Sequence, residues 1–282
     1  MKKGRAADGP ARFPMTFDAF HSAERQGWHD RAGRYDGATA LATLQIVPAL
    51  LDALHLRPGM RLIDLACGPG YVAGAAAALL INAEGIDFAP AMIETAQKRF
   101  PDLAFRIGDI LDMPHDTASF DAAACNMGLF HVIDPAKAMS EAARVLRPGG
   151  RFAFSQWTAP SDSALYAGLF EVMKAEADMA LADPAPDAYA LSDPETVAAM
   201  MTTAGFTDIS TRRLETVLIA PTVDFFDFFM SFGVRVPLIV GAQAPDVQDI
   251  IRDRMNAAMA PYETDTGYEV PMPSLLFAGT RQ

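Results

Sequence analysis

Three acids stand where they could hold a charged, hydroxyl-bearing ligand. The stretch RLIDLACGPGYVAG, residues 61–74, is an apolar run containing Asp64, a small-residue turn and the start of an Ala-rich helix. Taken alone, Gly68-Pro69-Gly70-Tyr71-Val72-Ala73 satisfies a dinucleotide fingerprint with Ala in the third place, and Asp87 lies about where a ribose-binding acid would. Asp64, just ahead of that turn, would repel a pyrophosphate and attract an ammonium or sulfonium group. Gly85-Ile86-Asp87 ends the next apolar run with an acid at its carboxyl end, where open α/β sheets bind ligands and where a carboxylate suits two ribose hydroxyls. In IGDILDMP, Asp109 could accept from an exocyclic amine while the Ile110 N–H serves a ring nitrogen, a combination that reads adenine. Ammonium, ribose diol and adenine together describe S-adenosylmethionine better than NAD.

A sheet is needed to bring these acids together. From about Met60, short apolar runs alternate with helical patterns: MRLIDLA then GYVAGAAAALLI, AEGIDF then PAMIETAQKRF, LAFRIG then a polar loop, FDAAACN then DPAKAMSEAARVL, and GRFAFSQW near Trp157. Such alternation implies right-handed crossovers and a parallel sheet with helices on both faces. Asp134 can cap the helix that Pro135 opens, and RPGG, residues 147–150, ends it. Ser192 and Glu195 have capping-box spacing ahead of Val197, Met200, Met201 and Ala204, a stripe that stops at Gly205.

Two regions fall outside the alternation. Residues from about 15 to 55 read as helices packed ahead of the first strand, carrying Trp28 and Tyr35. Residues from about 222 to 266 read as a helical insertion between two late strands, DISTRRLETVLIA and PSLLFAGTR. Its Phe225, Phe226, Phe228, Phe229 and Phe232 either fill core or line a lid over an apolar substrate.

With these motifs in order, the chain resembles the class I S-adenosylmethionine-dependent methyltransferases. LIDLACGPG, GIDFAPAMIETA, RIGDILDMPHDTASFDAA and RVLRPGGRFAF look like their successive motifs, in the branch that includes the ubiquinone and menaquinone C-methyltransferases. The resemblance implies a Rossmann-like α/β fold: a seven-stranded, mostly parallel sheet with helices on both faces and an antiparallel last strand. It divides the chain into a helical extension or gate, residues 1–58, and a cofactor-binding domain, residues 59–282, with the lid at about 222–266. Carried over by position, Asp64 and the backbone at Gly68 and Gly70 would hold the methionine end, and Asp87 the ribose. Phe88 and Met92 would lie against the adenine, Asp109 and Ile110 would read its edge, and Asn126 would stand beside the methionine. Ala66 occupies the place where the family usually has the first glycine of the turn; alanine fits there if its φ is negative.

Methyl transfer from a sulfonium is an in-line displacement in which positioning can suffice, so a general base matters only for an acceptor that must lose a proton. His131, in NMGLFHVIDP, is the candidate base; His21, His29, His55 and His115 offer no such case. Tyr35, Trp157 and Phe229 are candidate walls of the acceptor pocket. Cys67 and Cys125 read as small buried packing or as floor of the site, and neither spacing suggests a disulfide or a metal.

Composition narrows the partners. A net charge of −12, from 35 acids against 23 bases, with no basic run beyond the Met-Lys-Lys start, excludes nucleic acid as the expected partner. The start MKKGRAADGPARFP has no secretory signal and no apolar run is long enough to span a bilayer, so a cytoplasmic enzyme acting on a small-molecule acceptor is expected. An NAD-dependent oxidoreductase is the competing reading, and it leaves Asp64 unexplained. A cofactor-binding module without catalysis is the other, because catalysis by positioning leaves no residue signature.

Overall fold

The computed structural model describes residues 17–222 and 224–282; the polar start MKKGRAADGPARFP lies outside the described residues. In chain order, α1 (Asp18–Arg31), α2 (Thr39–Thr43) and α3 (Val47–Ala53) precede β1 (Arg61–Leu65). The alternation follows as α4 (Tyr71–Ala78), β2 (Asn82–Asp87), α5 (Pro90–Arg99), β3 (Ala104–Ile107), β4 (Phe120–Cys125), α6 (Pro135–Val145) and β5 (Leu146–Trp157). After it come α7 (Ala164–Glu176), α8 (Pro194–Thr203), β6 (Phe206–Leu214) and β7 (Val217–Ala220). The chain ends with α9 (Phe225–Phe232), α10 (Arg235–Gly241), α11 (Pro245–Met259), β8 (Glu263–Thr264), β9 (Gly267–Pro271) and β10 (Ser274–Arg281).

Seven strands form one sheet in the order β3-β2-β1-β4-β5-β10-β6. Strands β1 to β5 pair in parallel, whereas β10 runs antiparallel to both neighbours, between β5 and β6. The order reverses at β1, which has β2 on one side and β4 on the other, so a crevice opens beyond their carboxyl ends. Side chains alternate along β1: Leu62 joins the core under α3, α4 and α7, while Ile63 and Leu65 join the core under α6 and α8. Both faces are covered, which is why these strands read as continuous apolar runs.

Asp134 caps α6 as expected, accepting the Lys137 N–H at 2.9 Å, with Pro135 in the first turn. At α8 the cap is Asp193 rather than Ser192: Asp193 accepts the Thr196 N–H at 2.9 Å, and Ser192 turns back to donate to the Tyr189 carbonyl. An ionised oxygen aimed at the first turn outcompetes a hydroxyl one residue earlier.

The late stretch read as one strand is two, in different sheets. The break falls at Glu215 and Thr216, where the buried Thr216 hydroxyl bonds the Met272 carbonyl, and β7 then joins a separate sheet of order β7-β9-β8. The insertion is accordingly helical only through α11 and closes with β8. Tyr35 sits in a 3-10 turn spanning Ala32–Gly37 rather than in an α-helix. Among the described residues no helix is long and apolar enough to cross a membrane.

Candidate functional site

The turn after β1 is built from left-handed backbone. Ala66, Gly68 and Gly70 have φ of 52°, 50° and 83°, so the condition on which alanine was expected to fit, a negative φ, is not met. A β-carbon in this region costs about 1–2 kcal/mol. Ala66 also sets the approach of the next turn, because a β-carbon added at Gly128 would meet the Ala66 β-carbon at 2.7 Å and the Cys125 sulfur at 2.6 Å. Gly70 serves packing: a β-carbon there would lie 2.7 Å from the Phe105 ring. Cys67 and Cys125 are both buried, and burial pushes both thiols up, so neither is a nucleophile.

Two carboxylates meet beneath this turn. Asp64 is buried under it and accepts the Ala73 N–H at 3.1 Å, in the first turn of α4. Asp87, also buried, accepts from the Gly68 N–H and the Ala89 N–H, each at 2.9 Å. Burial pushes Asp64 up to about 8 and Asp87 up to about 6; the N–H bonds work in the opposite direction. A carboxyl held this way ionises when a cation or hydroxyl donors reach it. The pair therefore fits a ligand with an ammonium at one end and a diol next to it, and does not fit a pyrophosphate.

A cavity of about 620 Å³ opens from these groups. Its floor includes Ala66, Gly68, Asp87, Phe88, Met92 and Asn126, and a narrow cleft beside it, sharing Tyr35, Thr43, Ala66 and Asn126, reaches Asp64. Asn126 is fixed from both ends: its amide donates to the Thr43 carbonyl at 3.0 Å and accepts the Ser155 hydroxyl at 2.7 Å. Tyr35 stands over Gly68, stacked on Tyr71 at 6.4 Å, and burial pushes its phenol up to about 12, so it remains a neutral wall. Gly70, Asp109 and Ile110 do not line the cavity. Ile110 is buried in the core, and Asp109 caps its own loop through the Leu111 N–H while lying 3.6 Å from His21 on α1.

Helix α1 covers the floor. Its Arg25 donates to the Phe88 carbonyl at 3.1 Å, His29 accepts the Ala91 N–H at 3.3 Å, and the His21 ring meets the Phe88 ring edge-on at 5.5 Å. The insertion supplies the opposite wall through Phe229 and Phe232, whose rings stack at 5.6 Å, and Trp157 at the end of β5 joins them. Phe229 is thus both core and lining. A hydrogen bond from the Thr39 hydroxyl to the Phe232 carbonyl joins the two covers. His131 lines the cavity; its Nδ1 lies 2.7 Å from Glu24, a buried acid on α1 that also accepts the Trp28 indole N–H at 3.1 Å. Sequence reasoning missed Glu24. Its one local signal is the Glu24–Trp28 pair one helical turn apart, and its main partner is 107 residues away.

With this geometry in place, comparisons with known proteins can be set beside it. A methyltransferase-domain profile matches residues 63–154. The chain is 31% identical over 182 residues to the demethylmenaquinone methyltransferase of Paenarthrobacter aurescens, covering 61% of this chain and 72% of that protein. It is 33% identical over 171 residues to the 27-O-demethylrifamycin SV methyltransferase of Amycolatopsis mediterranei, covering 56% of this chain and 63% of that one. The crystal structure of the YcgJ protein of Bacillus subtilis superposes with a TM-score of 0.57 at 16% identity, over 84% of this chain and 98% of its own, a likeness of fold.

Proposed function

Because the chain belongs to the class I S-adenosylmethionine-dependent methyltransferases, we propose that it methylates a small, fairly apolar acceptor, aromatic, phenolic or quinone-like, in the cytoplasm. The observation that carries this reading is the cavity itself: it runs from the strand-end carboxylates to a wall of Trp157, Tyr166, Phe229 and Phe232, with room for an acceptor beside the cofactor. The names of the two relatives, one for demethylmenaquinone and one for a demethylrifamycin, support a small-molecule acceptor of this kind.

Bound in this cavity, S-adenosylmethionine supplies a methyl group already activated by its sulfonium. Asp64 and the turn at Ala66 and Gly68 would receive the amino-acid tail, and Asp87 the ribose hydroxyls. Phe88 and Met92 would flank the base. Asp109, beside His21 in the first turn of α1, and the Ile110 N–H would read its edge. The aromatic wall would hold the acceptor in line and exclude water; such positioning can supply about 7–11 kcal/mol of the barrier. Of the extension expected over residues 1–58, the part from residue 17 on lies among the described residues; it would act as a gate, and the insertion at 222–266 as a lid, over the domain spanning 59–282. His131 would take the proton of an acceptor that must lose one.

Calorimetry with S-adenosylmethionine, S-adenosylhomocysteine and NAD tests the cofactor site, and binding of NAD alone would sink it. Methyl transfer across phenols, quinols and amines then tests the acceptor class. Tight adenosyl binding with no transfer to any of them would favour the catalytically silent module.

A further inference from the structure

His131 and Glu24 form a pair that methyl transfer to an amine does not need. Glu24 is 1% exposed and held on α1, yet its Oε2 meets two nitrogens, Trp28 Nε1 at 3.1 Å and His131 Nδ1 at 2.7 Å. An indole nitrogen only donates, so that oxygen is an acceptor, and His131 presents Nδ1–H to it. The other ring nitrogen, Nε2, then carries the lone pair. It has no hydrogen-bond partner among the described residues and is not sealed away, in a side chain that lines the cavity. The ring is also clamped, edge-on to Trp28 at 5.1 Å and beside Phe130 at 4.1 Å.

We infer that Glu24 is a positioning residue that fixes His131 as a base with Nε2 toward the acceptor, and that the acceptor is therefore a weakly acidic hydroxyl of the phenol class, methylated on oxygen. The inference rests on the methyltransferase reading above and adds the acceptor group to it. A neutral amine attacks with its own lone pair and sheds its proton later to water, whereas an un-ionised phenol is a poor nucleophile until its proton leaves. In the step, the acceptor O–H proton passes to His131 Nε2 while an oxygen electron pair forms the bond to the methyl carbon. The carbon–sulfur bond breaks, its electron pair stays on sulfur, and S-adenosylhomocysteine is released. His131 becomes an imidazolium whose Nδ1–H is held by the Glu24 carboxylate, and the proton returns to solvent through the cavity mouth. The titratable groups facing His131 are Glu24 from α1, in contact, and Asp87 from the end of β2, whose carboxylate the ring stabilises by charge only once it is protonated; Tyr35 lies across Trp28.

The test measures S-adenosylhomocysteine formation by wild type, Glu24→Gln and His131→Asn with 2-naphthol, 4-methylphenol and 4-nitrophenol across the neutral pH range. For 2-naphthol and 4-methylphenol, both variants are expected to lose about 10²-fold or more in kcat/KM. The loss should shrink at least tenfold for 4-nitrophenol in the upper part of that range, where it arrives ionised, and the acidic limb of the wild-type pH profile, set by protonation of the base, should shift in Glu24→Gln. Equal losses on all three phenols would overturn the inference, as would turnover of amines in place of phenols. The methyltransferase reading would survive either result and would fail only if no acceptor of any class were methylated. A second measurement needs no variant: nitrogen NMR of the wild-type protein is expected to show that the neutral His131 ring carries its proton on Nδ1 and not on Nε2, and the opposite tautomer would overturn the assignment.

Discussion

The Gly68 N–H donates to the Asp87 carboxylate at 2.9 Å, so the acid proposed to hold the ribose also holds the turn proposed to receive the amino-acid tail. Its second oxygen accepts from Ala89, and each oxygen keeps a further lone pair for a ligand hydroxyl. Asp87→Ala removes the ligand contacts and leaves two buried N–H groups unpaired. Hydrogen bonds to charged groups contribute about 1.5–3 kcal/mol, so affinity for S-adenosylmethionine should fall tenfold or more by calorimetry, with a lower thermal midpoint. Unchanged affinity would remove Asp87 from the site.

If Asp64 receives the ammonium as proposed, cofactor binding should be a proton-linked event. Burial raises Asp64 from an ordinary 3.8 to about 8, and Asp87 from 3.8 to about 6. In the folded, unliganded protein each carboxyl keeps a proton that the unfolded chain has lost, so stability falls as pH rises from about 4 through about 8. The slope approaches about 1.4 kcal/mol per pH unit for each group. An ammonium beside Asp64 favours its ionised form, and binding at neutral pH should release a proton. Titration calorimetry in buffers of different ionisation enthalpy reads that release directly, and Asp64→Asn should abolish it. Binding without proton exchange in the wild type would count against the assignment.

Ala66→Gly should stabilise the unliganded protein by about 1 kcal/mol, because glycine adopts a φ of 52° without the β-carbon penalty. Urea unfolding measures it. The opposite sign would mean that contact between the Ala66 β-carbon and the turn at Gly128 outweighs the strain.

Phe229→Ala separates lining from core. The ring is 3% exposed and stacks on Phe225 at 5.8 Å and on Phe232 at 5.6 Å. Truncation of a buried Phe costs about 3–5 kcal/mol, so a large loss of stability is expected, together with a raised KM for bulky acceptors. Phe229→Leu should keep most of the stability and still change the order of preference among acceptors of different shape.

What the sequence revealed follows the range of the forces involved. The strands around the acids were legible because apolar runs and their punctuation are local, and so was the Asp134 cap. The Ser192 reading failed by one residue because two good capping side chains stand side by side, and only helix geometry chooses Asp193. The run from Asp208 to Ala220 looked like one strand because each part alternates acceptably; the break depends on Thr216 reaching Met272, 56 residues later. The positive φ of Ala66 was invisible, since a residue with a β-carbon is read by default as right-handed or extended. Glu24 looked like one more charge on a polar helix, because burial of a carboxylate is a property of its distant partners.

The parts that close the cavity lie outside residues 63–154, the stretch matched by the methyltransferase-domain profile. Glu24 and Thr39 come from before it, and Phe229 and Phe232 from after it. On the proposed reading, the stretch matched by the profile carries Asp64, Asp87 and His131, while the covers that shape the acceptor side of the cavity are written in separate segments of the gene. The Thr39–Phe232 bond sets a condition on their exchange: the two covering segments meet each other as well as the ligand, so a new acceptor specificity transplanted from a relative should work only when both are moved together.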